Sequence, residues 1–364
     1  MPTPAPLIHG VFAPMIRTDW SMLGRIGLVF CCVLGIQAAA QSQASEASTL
    51  VHAGQAALDA GDFARAIQNF EKARSAAPDN LAAARGLTLS YLEAGELPHA
   101  IHAGTEASQH WPRDSQIHHW LGVALFKSGE IAPAQQHLQQ AVTLAPTDAD
   151  AQFDLALTLL TQQKYSEAAA ALEKSVKVKP SNALAHVLLG RAYQNSNRTL
   201  QAIEEFKTAL RLDASLPLGH YHLAYAYASL GRNQEALVEY KKEIALRPDN
   251  AEAQYQFGRC LVETGQLKDA IPHLRRATEL NPQSSDAFYD LGKSLLLDEQ
   301  VNESITALRR SVALDPADPS PHYQLARALQ KSGNQDEARQ EWQRFAELKK
   351  NQKTTGGMAT GRDR

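Results

Sequence analysis

Proline recurs at a fixed interval along most of this chain, and that interval constrains the fold more than any other feature does. The prolines on one 34-residue lattice are Pro78, Pro112, Pro146, Pro180, Pro248, Pro282 and Pro316. The lattice position without proline is Ala214, and Pro217 follows three residues later. Since the chain has only 17 prolines in 364 residues, seven in register are not accidental. The chain is therefore built of 34-residue repeats.

Nine gapless repeats result when each lattice proline is taken as repeat position 32. They span 47–80, 81–114, 115–148, 149–182, 183–216, 217–250, 251–284, 285–318 and 319–352. Position 8 is mostly Gly or Ala, and position 20 is Ala in every repeat except the eighth, which has Ser304. Apolar or small residues at positions 4, 7, 8 and 11, and again at 20, 24, 27 and 28, follow helical spacing. Each repeat is therefore predicted to be two amphipathic helices.

Glycine and proline residues at the expected helix ends support this helix pair. A glycine such as Gly61 or Gly95 lies between the two predicted helices in six repeats, and the proline at position 32 is expected to end the second helix. One such hairpin cannot bury its apolar faces alone, so neighbouring repeats must stack into a continuous core. Gly104, Glu243 and Pro272 depart from the pattern, and we expect the second, sixth and seventh repeats to be locally loose.

The repeat length and this residue pattern resemble those of the tetratricopeptide-repeat family, over residues 47–352. The resemblance implies an all-α fold, a right-handed superhelical α-solenoid of nine helix-turn-helix repeats. It also implies that the first helix of each repeat lines a concave groove. In this family the contacts to bound proteins or peptides come mainly from repeat positions 2, 5, 9, 12 and 13.

Aromatic and basic residues recur at two of these positions, 5 and 9. The candidate binding residues are Phe153, Arg191, Tyr221, Tyr225, Tyr255, Arg259, Tyr289, Lys293, Tyr323 and Arg327. Such rows suit an extended peptide, because tyrosine offers contact area with a polar tip and arginine grips carboxylates or carbonyls. The alternative is that each Tyr–Arg pair stacks on itself as a solvated surface. Acidic neighbours such as Glu252 and Asp290 favour that alternative, which stays open.

Other classes of function find little support. With 36 basic and 39 acidic residues the net charge is −3, which argues against a nucleic-acid partner. Four histidines occupy position 4, where we expect packing and not metal binding; they are His118, His186, His220 and His322. Cys260 is predicted to be a buried small apolar residue. No phosphate-binding loop or nucleophile motif appears, so we expect no enzyme activity, no cofactor and no metal.

The two ends of the chain carry separate predictions. Residues 26–36 are apolar, Arg25 precedes them and Ala38-Ala39-Ala40 follows, an order typical of a secretory signal peptide over residues 1–40. The alternative is a membrane anchor formed by residues 26–36, and the start codon is Met1, Met15 or Met22. Residues 41–46 are expected to be a short linker and residues 353–364 a disordered tail. Trp342 and Phe345 in the last repeat suggest a homodimer contact.

The sequence thus predicts an exported scaffold, periplasmic or secreted, without membrane insertion after signal cleavage. It would bind partner proteins or peptides in its groove, for envelope assembly or secretion. The alternative is an accessory subunit of an enzyme system such as polysaccharide synthesis or export.

Overall fold

The computed structural model describes residues 43–359, with side chains to residue 351. The predicted signal peptide and anchor segment therefore lie outside the described residues. Within the described residues there are eighteen helices and no strand, which confirms the predicted all-α fold. Each repeat supplies two consecutive helices.

The helices are α1 (43–59), α2 (Phe63–Ala76), α3 (Leu81–Glu93), α4 (Leu97–His110), α5 (Ser115–Lys127), α6 (Ile131–Leu144), α7 (Ala149–Thr161), α8 (Tyr165–Val178), α9 (Ala183–Asn195), α10 (Thr199–Leu212), α11 (Gly219–Ser229), α12 (Asn233–Leu246), α13 (Ala251–Glu263), α14 (Leu267–Leu280), α15 (Ser285–Leu297), α16 (Val301–Leu314), α17 (Pro319–Lys331) and α18 (Gln335–Ala359).

A polar residue at repeat position 34 starts most of the first helices. Its side-chain oxygen accepts a hydrogen bond from a backbone N–H in the first turn, which satisfies a donor that the helix leaves unpaired. These caps are Asn80, Asp114, Asp148, Asn182, Asn250, Ser284 and Asp318. Leu216 occupies this position before α11, which begins only at Gly219 and has 11 residues where α9 and α13 have 13.

The turn between the two helices of each repeat needs a left-handed residue at position 15. Six repeats place glycine there, with φ between 70° and 89°. The remaining three place Gln163, Asn197 and Glu299 there, with φ of 58°, 60° and 66°. Glycine adopts this conformation without steric cost, which explains why the sequence shows a glycine between the predicted helices.

Small side chains at positions 8 and 20 let the two helices of a repeat approach closely. The alanines at position 20 are at most 2% exposed, and Ser304 donates a hydrogen bond to the Gly292 carbonyl (2.7 Å). The bulky residue at position 24 fills the adjoining space. A Cβ added at Gly122, at position 8 of the third repeat, would lie 2.6 Å from the Leu138 side chain, so the backbone of α5 packs directly on that residue of α6.

The chain forms two compact units, one ending at Leu144 and the other beginning at Ala145. In the second unit, α9 contacts α11, α11 contacts α13, α13 contacts α15 and α15 contacts α17. The first helices from α9 to α17 therefore lie side by side in this unit. All candidate binding residues belong to it.

Glu243, a departure from the repeat pattern, is buried and well connected. Its carboxylate accepts hydrogen bonds from Arg247, Asn250 and the Tyr221 backbone N–H. Arg247 also donates to the Ser215 carbonyl (2.7 Å). These bonds hold the irregular connection before α11, in contrast to the looseness expected for the sixth repeat.

Both ends of the repeat array are more helical than the sequence predicted. Helix α1 already includes residues 43–46, for which the sequence predicted a linker, and α18 continues to Ala359, inside the predicted disordered tail. The ninth repeat has Lys350 at position 32, so its second helix lacks the proline that follows the second helix in seven other repeats. Residues 360–364 lie outside the described part.

Candidate functional site

The candidate residues lie on one face of the first helices in the second unit, which we call the groove face. It is defined by repeat positions 2, 5, 9, 12 and 13 of α7, α9, α11, α13, α15 and α17. Position 2 of the sixth repeat, Leu218, is the N-cap of α11. The exposed candidates are Arg191, Tyr225, Arg259, Tyr323 and Arg327, and the half-buried ones are Phe153, Tyr221, Tyr255, Tyr289 and Lys293.

Some aromatic and basic neighbours stack within their own helix. The Arg259 guanidinium lies 5.6 Å from the centre of the Tyr255 ring, and Arg327 lies 5.8 Å from that of Tyr323. On α11, where both positions are aromatic, the Tyr221 and Tyr225 rings are 6.3 Å apart. The self-stacking interpretation therefore describes these pairs, while Arg259 and Arg327 remain exposed and accessible to a partner.

Asp290 on α15 joins two of the candidate residues. Its Oδ2 accepts a hydrogen bond from the Tyr255 hydroxyl (3.0 Å) and lies 3.6 Å from Nε of Arg259. Burial raises the pKa of Asp290, although Tyr255 and Arg259 act in the opposite direction. Burial and the nearby Asp290 carboxylate raise the pKa of Tyr255. Tyr255 thus links α13 to α15.

Position 5 lies closer to the core than the sequence indicated. Tyr289 packs against the apolar cluster that includes Leu296, Leu308 and Leu325. Tyr323 contacts both aromatic rings of α18, with ring centroids 5.2 Å from Trp342 and 5.3 Å from Phe345. Replacing position-5 tyrosines would therefore disturb packing as well as any binding.

Five exposed apolar side chains lie on the groove face, and position 5 supplies only one of them. Their exposed fractions range from 36% to 53%, and the residues are Leu184, Leu218, Tyr225, Leu297 and Tyr323. They occupy positions 2, 2, 9, 13 and 5. The aromatic and basic pattern in the sequence points to positions 5 and 9 and so does not single out the three leucines, although positions 2 and 13 belong to the same face.

The position-4 histidines belong to the packing, as predicted. His186 Nε2 faces the Pro180 carbonyl oxygen (3.0 Å), and its Nδ1 lies 2.6 Å from the Glu205 carboxylate. His322 makes the same contacts with Pro316 and Glu341, and His118 with Pro112 and His137. The repeat pattern did not reveal this partner at position 23, which faces position 4 across the helix pair. Among the described residues no three His, Cys, Asp or Glu side chains form a metal-binding group.

The remaining sequence predictions concern reactivity and membranes. Cys260 is 3% exposed, and burial raises the pKa of its thiol to about 11, which fits the predicted apolar role. Within residues 43–359 no helix combines the length and the apolar character needed to cross a membrane.

Comparisons with solved structures find repeat proteins. A structure described as "YrrB: a TPR protein with an unusual peptide-binding site" is 24% identical, with 51% of this chain and 96% of that chain covered and a TM-score of 0.45. MamA from Desulfovibrio magneticus RS-1 is 26% identical, with 47% and 96% covered and a TM-score of 0.44. The APC/C hetero-tetramer Cut9–Hcn1 is 18% identical over 73% of this chain and 52% of that chain; its TM-score of 0.50 supports the fold alone. No curated protein sequence matches the chain.

Three sequence-family models, each described as tetratricopeptide repeat, match the chain. The first matches residues 57–103 and 227–291, and the second matches four overlapping segments between 89 and 251. The third matches residues 307–340. Together with the 34-residue helix pairs, these matches show that the chain belongs to the tetratricopeptide-repeat family.

Proposed function

We propose that this chain is a non-catalytic scaffold that binds partner proteins through segments lying on the groove face of the second unit. The observation that carries the proposal is the set of exposed apolar side chains on that face, from Leu184 on α9 to Tyr323 on α17. Removal of apolar surface from water is favourable, so these side chains would stabilise a complex by contacting apolar groups of a partner. Membership of a repeat family that generally lacks catalysis supports the same function.

Charged groups on the groove face supply the polar part of recognition. Arg191, Arg259 and Arg327 are exposed beside the apolar side chains. Their guanidinium groups can donate to backbone carbonyls or carboxylates of a bound segment. An extended peptide presents both kinds of group at regular intervals, so it suits a surface that alternates apolar and donor sites.

The cellular setting is part of the proposal and rests on the sequence. The signal-peptide pattern before residue 41 supports export, with envelope assembly or secretion as the process served. A homodimer contact at the last repeat is supported by the aromatic cluster of Tyr323, Trp342 and Phe345, because the side chains of Trp342 and Phe345 are only half-buried.

Affinity capture from the native host tests the proposal. The bait is residues 41–364 in three forms: the wild type, the groove variant Tyr225→Ser/Leu297→Ser, and the control Leu200→Ser/Val238→Ser. Leu200 and Val238 are 67% and 55% exposed but lie on second helices. We expect the same proteins with the wild type and the control, and at least a ten-fold loss with the groove variant.

Two outcomes change the interpretation. Equal capture by the groove variant, with its helix content intact, would contradict binding at the groove face. Recovery of a polysaccharide synthase or exporter as the main partner would favour the accessory-subunit alternative over an assembly scaffold.

A further inference from the structure

A cavity of about 170 Å³ opens on the groove face among α11, α12 and α13, within the second unit. The side chains that bear on its chemistry are Tyr225, Ser229, Tyr240, Gln256, Arg259 and Glu263. The volume is several times the ~30 Å³ that one water molecule occupies in the liquid. It can therefore take a group of several heavy atoms.

Tyr240 supplies the unusual group in this cavity. It is 1% exposed, and its buried hydroxyl has no hydrogen-bond partner. Tyr240 occupies position 24, where the first and fifth repeats have Phe70 and Phe206, so packing does not require a hydroxyl there. An unpaired buried hydroxyl lowers stability, and a bound group that accepts from it would restore the missing hydrogen bond. Because burial raises the pKa of Tyr240, the hydroxyl stays protonated and can donate.

The other polar groups of the cavity provide hydrogen-bond acceptors, and its positive and negative charges offset each other. Ser229 Oγ donates to the Ala226 carbonyl (2.9 Å), so its lone pairs can accept a further hydrogen bond. The Glu263 carboxylate accepts from the Asn233 side chain (3.2 Å) and, with four lone-pair sites, can accept again. The positive charge of Arg259 is already shared between Glu263 (4.0 Å) and Asp290 (3.6 Å).

We propose that this cavity binds the side-chain carboxamide of an asparagine or glutamine in a peptide lying on the groove face. The Tyr240 hydroxyl donates to the amide oxygen, and Glu263 or Ser229 accepts from the amide nitrogen. The side chains of Arg259 and Glu263 are 44% and 53% exposed, so they can adjust around the bound group. The inference rests on the proposed function.

Charged side chains fit this cavity less well than a carboxamide does. A carboxylate would meet the Glu263 carboxylate and would compete with two acids for Arg259. An ammonium or guanidinium group would meet the Arg259 guanidinium. A carboxamide has no net charge, so its oxygen can accept from Tyr240 and its nitrogen can donate to Ser229 or Glu263 without disturbing the charge balance of Arg259 and Glu263.

A positional-scanning library of acetylated, C-terminally amidated hexapeptides tests the inference. Binding is measured for the wild type, for Tyr240→Phe and for the control Tyr193→Phe, whose hydroxyl donates to Glu173 (2.8 Å) away from the cavity. We expect the wild type and the control to prefer Asn or Gln about five-fold over Ala at one position. Tyr240→Phe should lose the preference while melting at or above the wild-type temperature. Glu263→Ala, at an exposed site, should also reduce the preference for Asn or Gln.

The outcomes separate this inference from the proposed function. Peptide binding without an Asn or Gln preference, a preference for Asp, Glu, Lys or Arg, or an unchanged profile in Tyr240→Phe would overturn the inference alone. Failure of the wild type to bind any hexapeptide in the library would overturn both.

Discussion

At the scale of single residues, repeat position defines where a side chain lies but not which partner it meets. The sequence predicts packing at position 4, and His186 and His322 do pack there. Their carboxylate partners, Glu205 and Glu341, lie 19 residues along the chain and face them across the helix pair. That pairing depends on the register of the two helices, which the apolar pattern alone does not specify.

His222 makes the stability of the second unit depend on pH. Its ring stacks on Phe206 with centroids 5.6 Å apart, and burial together with the nearby Arg191 lowers its pKa from 6.5 to about 4. Between these values the unfolded chain binds more protons than the folded one. Stability is therefore fully present above pH 6.5 and falls as the pH drops towards 4, by up to about 3 kcal/mol.

His222→Gln removes this contribution, and glutamine already occupies the same repeat position at Gln256 and Gln324. Denaturant unfolding at pH 7.5 and pH 4.5 measures the effect. We expect the variant to lose less stability on acidification than the wild type does. His137 and His273, whose pKa values burial also lowers, leave a residual dependence in both proteins. An equal loss in the two proteins would exclude His222 as the source.

At the scale of helices and turns, most of the architecture could be predicted because it depends on local chemistry. Proline and glycine spacing predicted two helices in each repeat, and all the described turns at position 15 are left-handed. The start of α11 could not be predicted from spacing. Leu216 lacks the capping oxygen that Asn182 or Asn250 supplies, and the buried Glu243 and Arg247 hold the connection instead.

Gln163→Gly should stabilise the fourth repeat by up to about 1 kcal/mol. Gln163 has φ of 58°, a conformation that costs an ordinary residue roughly 1–2 kcal/mol. Glycine avoids this cost but loses more conformational entropy on folding, which offsets part of the gain. Asn197→Gly is the matched control, because asparagine tolerates this conformation and should gain less. Thermal melts compare them. A lower melting temperature for Gln163→Gly would show that its side chain matters more than its backbone.

A double-mutant cycle tests the position-4 contact between the helices of one repeat. Glu205→Ala leaves the buried His186 Nδ1 without its partner and should cost about 1–3 kcal/mol. His186→Phe combined with Glu205→Ala recreates the pair Phe288 and Ala307 of the eighth repeat. We expect denaturant unfolding to show a smaller loss for the double variant than the sum of the single losses. Strict additivity would mean that the two side chains do not interact.

At the scale of the whole molecule, the family and the all-α fold could be predicted, whereas the positions of the exposed apolar side chains could not. Repeat stacking places the first helices side by side whatever residues face outward. The exposure of Leu184, Leu218 and Leu297 depends on whether a neighbouring side chain covers them. Only the packed structure shows this. Tyr240 likewise fits the aromatic pattern of position 24 in the sequence. Only the structure shows that its hydroxyl has no hydrogen-bond partner.

Export predicts a processed N-terminus. If residues 1–40 are a cleaved signal peptide, protein purified from the native host begins at or near Gln41. N-terminal sequencing of that protein provides the measurement. Recovery of residues 26–36 in a membrane-bound form would support the anchor alternative, and their recovery in a soluble cytoplasmic pool would contradict export.

Site-specific photo-crosslinking in the native host tests the central claim most directly. A photoreactive amino acid is placed singly on the groove face at Leu184, Tyr225, Leu297 or Tyr323, and on second helices at Val178, Leu200 or Val238. All seven side chains are at least 36% exposed, so exposure does not separate the two sets. Binding at the groove face predicts one shared set of protein adducts from the first four sites and little from the other three. Adducts concentrated at Val178, Leu200 and Val238, with none at the first four, would contradict it.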